Sequence, residues 1–438
     1  MTGFLSHFER KLDGAEVQAA GRDPIGDRAS LICACMFGIG LGGPVTATEI
    51  AAIPLMVVTL VRLWLGWRLP VFSLLQPTAI LVLSFGAWSA ISLLWTLDVK
   101  EGADHLGTLR WAWLLIALAP VRRYRRAILL AIVGGLLLGV AAQVVNWLGP
   151  TAGWYGAIWK RAADRHSGWW YPVTGGTLLS AGLGIAMGLA VASALWRARA
   201  AYLCGAAALL MGILASGTRG AWIAAAGVAV AGAIAGFVRA RPRPRTVIVV
   251  GLVAVSAGAL AWFAVGQSIS ARASAGIEEV RSAVENRDYS TDTGARVGMA
   301  LAGIEQFRSR PLTGVGVGGF YEWNHRRLPD PDDTASDFSH MHAHNTLIHT
   351  AATLGLPGAL LLIAILVSAL RDTRRGSANG CLPIALGIVG LSIVSMFDTL
   401  TVSAQGCAMA MTLLAIARGN KAARDTHDTR SADSAGAP

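Results

Sequence analysis

Residues 121–148 read VRRYRRAILLAIVGGLLLGVAAQVVNWL. Four arginines stand ahead of a nearly unbroken apolar run from Ala127 to Leu148. A helix needs about 20 such residues to cross the hydrocarbon core of a bilayer, and arginines in a short connection mark its cytoplasmic side. The same unit recurs along the chain. Of the 438 residues 54% are hydrophobic and only 14% are charged, too apolar a balance for a soluble protein of this length. The fold class that follows is all-α, a polytopic membrane protein with about twelve transmembrane helices.

The expected spans are 30–44, 46–66, 73–95, 106–121, 127–148, 173–195, 200–216, 220–238, 246–266, 345–370, 381–397 and 399–417. With the N-terminus inside, the cytoplasmic connections carry Arg62 and Arg68, Arg122 to Arg126, Arg197 and Arg199, Arg239 to Arg245, and Arg371 to Arg375. The short outer connections carry almost none, and this alternation sets the orientation. Residues 1–29 form a cytoplasmic segment without a cleavage site, spans one to nine fill 30–266, and 345–417 holds the last three. The tail 418–438 is small, charged, cytoplasmic and disordered in this reading. Two outer segments are longer: 149–172, rich in Trp and Tyr that suit a membrane interface, and 267–344. The second reads as an amphipathic helix around 275–310, a Gly-rich turn and a His-rich entry into the tenth span.

The net charge of +11 is spread in short basic runs between apolar blocks, so nucleic acid is not an expected partner; membrane lipid is. The five cysteines all fall inside apolar blocks, which suggests packing rather than a disulfide framework or a zinc site.

Three features can carry chemistry. The break Ser216-Gly217-Thr218-Arg219-Gly220 puts an arginine at the outer membrane edge, where a charge costs roughly 2.5–3.5 kcal/mol at bilayer depth and needs a partner or a purpose. A snorkelling turn arginine is the plain alternative. The second is Thr291 to Arg296, followed by Pro311-Leu312-Thr313-Gly314-Val315-Gly316-Val317-Gly318-Gly319. This glycine run and Gly38 to Gly43 match a dinucleotide fingerprint only in letters, since neither sits in a βαβ unit. They read instead as tight turns or close backbone approaches, and Arg296 by itself reads as a solvated loop residue. The third is His340-Met341-His342-Ala343-His344-Asn345 with His349 beyond: proton-transferring side chains, a conceivable metal set, or a polar cap before a span.

In this order these features resemble the O-antigen ligase family of bacterial inner membranes: Gly-Thr-Arg-Gly at 217–220, Arg296 before Pro-Leu-x-Gly-x-Gly at 311–316, and His-x-His-Asn at 342–345. The resemblance implies a membrane glycosyltransferase of GT-C-like architecture with a large helical periplasmic loop. It implies transfer of a glycan from undecaprenyl diphosphate to a sugar hydroxyl of lipid A–core, without nucleotide sugar, cofactor or metal. Arg219 and Arg296 match the family's diphosphate-holding arginines and His344 its histidine base, with His342 in reserve. Asn345 and His340 would support them, and Arg165 of the shorter loop would add a phosphate contact. The related O-antigen polymerase shares the donor chemistry. A protein-glycosylating relative would carry a larger C-terminal region, and a transporter would need acidic residues through the midplane.

Overall fold

The computed structural model describes residues 23–65, 73–148, 166–240, 270–271, 274–326, 342–375 and 378–418, and no strand occurs among them. The helices are α1 (Pro24–Gly40), α2 (Val45–Trp64), α3 (Pro77–Ile91), α4 (Val99–Thr108), α5 (Arg125–Leu148), α6 (Pro172–Ala192), α7 (Trp196–Ala215) and α8 (Arg219–Ala240). After α9 (274–285) come α10 (Asp292–Ser309), α11 (Gly319–His325), α12 (Thr346–Arg375), α13 (Ala378–Val394) and α14 (Ala404–Ala417). Seven described helical stretches are long and apolar enough to cross a membrane, and the apolar parts of α13 and α14 are shorter. The chain is a polytopic helical membrane protein.

Among the described residues two stretches differ from the expectation. The block 106–121 is not one helix: the chain leaves α4 through 3-10 turns at Leu109–Trp113 and Ala119–Tyr124 that flank a single α-turn. Pro120, which lacks a backbone donor, lies in the second of these turns. The amphipathic stretch 275–310 is two helices, because Asp288 accepts from the Ser290 amide and hydroxyl and Thr291 caps α10 through the Gly294 amide. The expected ninth span, 246–266, lies outside the described residues, as do Arg165, His340 and most of the C-terminal tail.

Helix α6 is the centre of the bundle and nearly all of it is buried. In lipid, apolar contact alone gives helices no reason to associate, so small residues that let backbones close in must supply the packing. Along α6 they do. A side chain at Gly184 would start 2.2 Å from the Leu386 carbonyl of α13, and one at Gly390 would start 2.4 Å from the Ser180 carbonyl.

The glycine run 314–318 has a structural task. α12 breaks at Gly355 (φ 67°) just before Pro357, and the carbonyls of the broken turn lose their helical donors. Val315 N–H donates to Ala352 O and Gly316 N–H to Thr353 O, both at 2.9 Å. Trp88 Nε1 donates to Leu354 O at 2.8 Å, and Leu356 N–H turns to Pro311 O at 2.7 Å. Three carbonyls and one amide freed by the break are thereby satisfied. Gly314, Gly316 and Gly318 have φ values of 66°, 92° and 79°, a region that favours glycine.

Candidate active site

The break after α7 aims Arg219. Gly217 turns the chain at φ 63°, and the Thr218 hydroxyl donates to Pro172 O at 2.9 Å, tying the turn to the start of α6. Arg219 then opens α8, and the missing side chain of Gly220 admits Phe397, whose Cβ would otherwise lie 2.5 Å away. Thr293 and Arg296 come from the first two turns of α10. The third contribution is made where α12 begins. Asn345 accepts from the Ile348 amide and donates to Met396 O, both at 3.0 Å. Thr346 donates through its hydroxyl to Asp398 O at 2.9 Å and receives the Leu400 amide at 2.8 Å. These bonds stitch the start of α12 to the 395–400 connection and bring His344 and Asp398 side by side.

Arg219, Arg296, His344 and Asn345 line one cavity of about 790 Å³. The first residues of α8 and α10 and the residue ahead of α12 all reach it. Three helix N-termini therefore end at this space, and their positive dipole ends favour an anion there. A cation in a first helical turn is disfavoured by the same dipole, so Arg219 there needs an anionic partner.

His344 adopts φ 47°, an uncommon conformation for a residue with a side chain. Its Nδ1 lies 3.6 Å from Asp398 Oδ1, within ion-pair reach and longer than a formed hydrogen bond. Burial alone would raise the Asp398 carboxyl, but His344, the Thr399 amide and the charge of His342 hold it below the ordinary range. It therefore stays ionised at neutral pH. His342 sits beside His344, ring centroids 4.4 Å apart, but does not line the cavity. His349 is buried away from it, against Phe320 and His105. Donor atoms of His342, His344 and Asp398 lie within 4.8 Å of one another. Two imidazoles and a carboxylate can hold a divalent transition ion; the same pair of His344 and Asp398 is also how a carboxylate orients a histidine base.

Of the sequence candidates, Arg219, Arg296, His344 and Asn345 come together, and Arg296 is helical and half-buried rather than a loop residue. Asp398 and Thr293 had no sequence signal of their own; a lone acid in the connection Phe397-Asp398-Thr399 was the only hint of the first.

Residues 204–363, from within α7 to within α12, match the family described as O-antigen ligase. The chain carries an O-antigen ligase family domain. Both arginines and both histidines of the site fall inside the matched segment, whereas Asp398 lies beyond it. Among curated proteins, none matches the chain. A domain of this family points to a glycosyltransferase-like membrane enzyme that handles a lipid-linked glycan and an acceptor.

Proposed function

We propose that this O-antigen ligase family chain transfers a glycan from undecaprenyl diphosphate to a sugar hydroxyl of lipid A–core at the periplasmic face of the bacterial inner membrane. The observation that carries the reading is the convergence of Arg219, Arg296 and His344, distant in sequence, on one cavity ringed by helix N-termini. Transfer breaks the bond between the anomeric carbon and the diphosphate oxygen and forms one to the acceptor oxygen. Negative charge grows on the leaving diphosphate, where planar bidentate guanidinium groups stabilise it. The acceptor proton goes to Nε2 of His344, while Asp398 faces Nδ1 and stabilises the imidazolium that forms. His342 and Asn345 position the base, one beside its ring and one through the cap of α12. Direct displacement inverts the anomeric configuration.

In this proposal both termini lie in the cytoplasm, with 267–344 outside and spans on either side of it. A cysteine placed at Ile277 should react with an impermeant reagent added from the periplasmic side; reaction only from the cytoplasm would overturn the orientation. Deleting the gene and running lipopolysaccharide on a gel tests the acceptor. Loss of the whole ladder with accumulation of lipid-linked polymer supports the ligase, and a single-repeat band would assign the polymerase reaction instead.

A further inference from the structure

Arg219 is already engaged. Its Nη1 donates to Glu279 Oε2 at 3.1 Å and also to the Thr293 hydroxyl. A guanidinium terminal nitrogen has two hydrogens, so this one is fully committed. Thr293 belongs to α10 and forms part of the cavity wall. Glu279 comes from α9, where Ala283 is the one fully buried residue and Ile277, Val280 and Val284 are exposed along one face. Gly276 of the same helix lets the guanidinium lie close, since a side chain there would start 3.2 Å from Arg219 Nη1.

The charges lining the cavity also cancel. Arg219 and Arg296 face Glu279 and Asp292. Burial pushes the Glu279 carboxyl up, but hydrogen bonds from Thr293 and Arg219 outweigh it and hold the group below its ordinary range, so it is a carboxylate at neutral pH. A multiply charged anion entering this space would meet no net formal charge while Glu279 stays on Arg219.

We infer that Glu279 is an internal stand-in for the donor's diphosphate: its carboxylate occupies Arg219 where a phosphate oxygen binds, and donor entry exchanges one for the other. The inference rests on the diphosphate reading of Arg219 and Arg296. In the donor-free enzyme the pairing keeps an arginine at a helix N-terminus neutralised and pre-aimed. Because α9 contributes so little buried surface, withdrawing it is the low-cost way to free the guanidinium.

The test is the affinity of full-length protein in nanodiscs for inorganic diphosphate, measured by calorimetry for wild type, Glu279→Gln, Glu279→Ala and Arg219→Ala. Removing a partly exposed competing carboxylate should tighten binding by about two- to fivefold in both Glu279 variants, while Arg219→Ala should weaken it. Two variants of different size separate lost competition from a misplaced helix, and gel filtration reports on folding. Unchanged or weaker binding in both Glu279 variants, with Arg219→Ala impaired, overturns the stand-in and leaves the arginine clamp intact. Unchanged binding in Arg219→Ala overturns both.

Discussion

At one end of the bundle Arg62 of α2 is closed in on every side. Its guanidinium meets Asp23 at 3.3 Å, the Ser30 hydroxyl at 2.7 Å and the Gly26 carbonyl at 3.2 Å, with 3% of the side chain exposed. Asp27 of the same helix α1 holds Arg123 nearby. At the other end Arg219 is 37% exposed, opens onto the cavity, and takes its charged partner from the lightly buried α9. Desolvating a guanidinium is costly in both places. In the first, partners at the start of α1 offset the cost, the guanidinium itself is sealed from solvent, and the charge becomes part of the architecture. In the second the partner is exchangeable and the remaining surface faces open space, which is the arrangement of a binding group.

The sharpest way to break this contrast is at the base. His344→Ala should reduce turnover by roughly 10²–10⁴-fold, the usual worth of a general base, with donor binding kept. If His344→Ala ligates at the wild-type rate and His342→Ala is dead, the base is the neighbouring ring. If both stay active, general-base catalysis is wrong. Replacing the arginines tests the clamp. Arg219→Lys and Arg296→Lys keep the charge but lose the bidentate fork, so donor affinity should fall about ten- to a hundredfold, the scale of a hydrogen bond to a charged group. Lysine variants that bind donor normally would reduce both residues to a diffuse positive field. Asp398→Asn should slow turnover about ten- to a hundredfold, as loss of an orienting partner does, while leaving donor affinity alone.

How far the sequence foretold this site depends on which kind of contact builds it. That Arg219, Arg296 and His344 belong together was legible because short motifs carry their side chains, and they do line one cavity. Asp398 was not, because it reaches His344 through bonds from Asn345 and Thr346 to the carbonyls of Met396 and Asp398. Any residue offers such carbonyls, so the pairing leaves no mark in the sequence. The glycine run 314–318 was rightly read as close backbone approach, yet that it closes the break at Gly355 depends on a partner far along the chain. The block 106–121 misled because hydropathy averages over residues and does not register the 3-10 turns around Pro120. The break at 286–291 could have been seen: Asn286, Asp288, Ser290 and Thr291 are turn and cap residues.

The smallest effect on chemistry belongs to the sealed end. Asp23→Ala should cost roughly 1–3 kcal/mol by leaving Arg62 short of its charged partner, seen as a lower unfolding temperature in detergent. The ligation rate per folded molecule should not change. A variant that melts normally but ligates slowly would mean that the two ends are coupled and the contrast between them is false.

Reconstitution addresses the central claim most directly. Purified wild-type protein in nanodiscs, given undecaprenyl diphosphate-linked glycan and lipid A–core in excess chelator, should produce glycan-bearing lipid A–core, and His344→Ala under the same conditions should produce almost none. No product from the wild type with chelator, and full activity once one defined divalent metal is restored, would contradict the account. It would make His342, His344 and Asp398 metal ligands instead of a base with its neighbours.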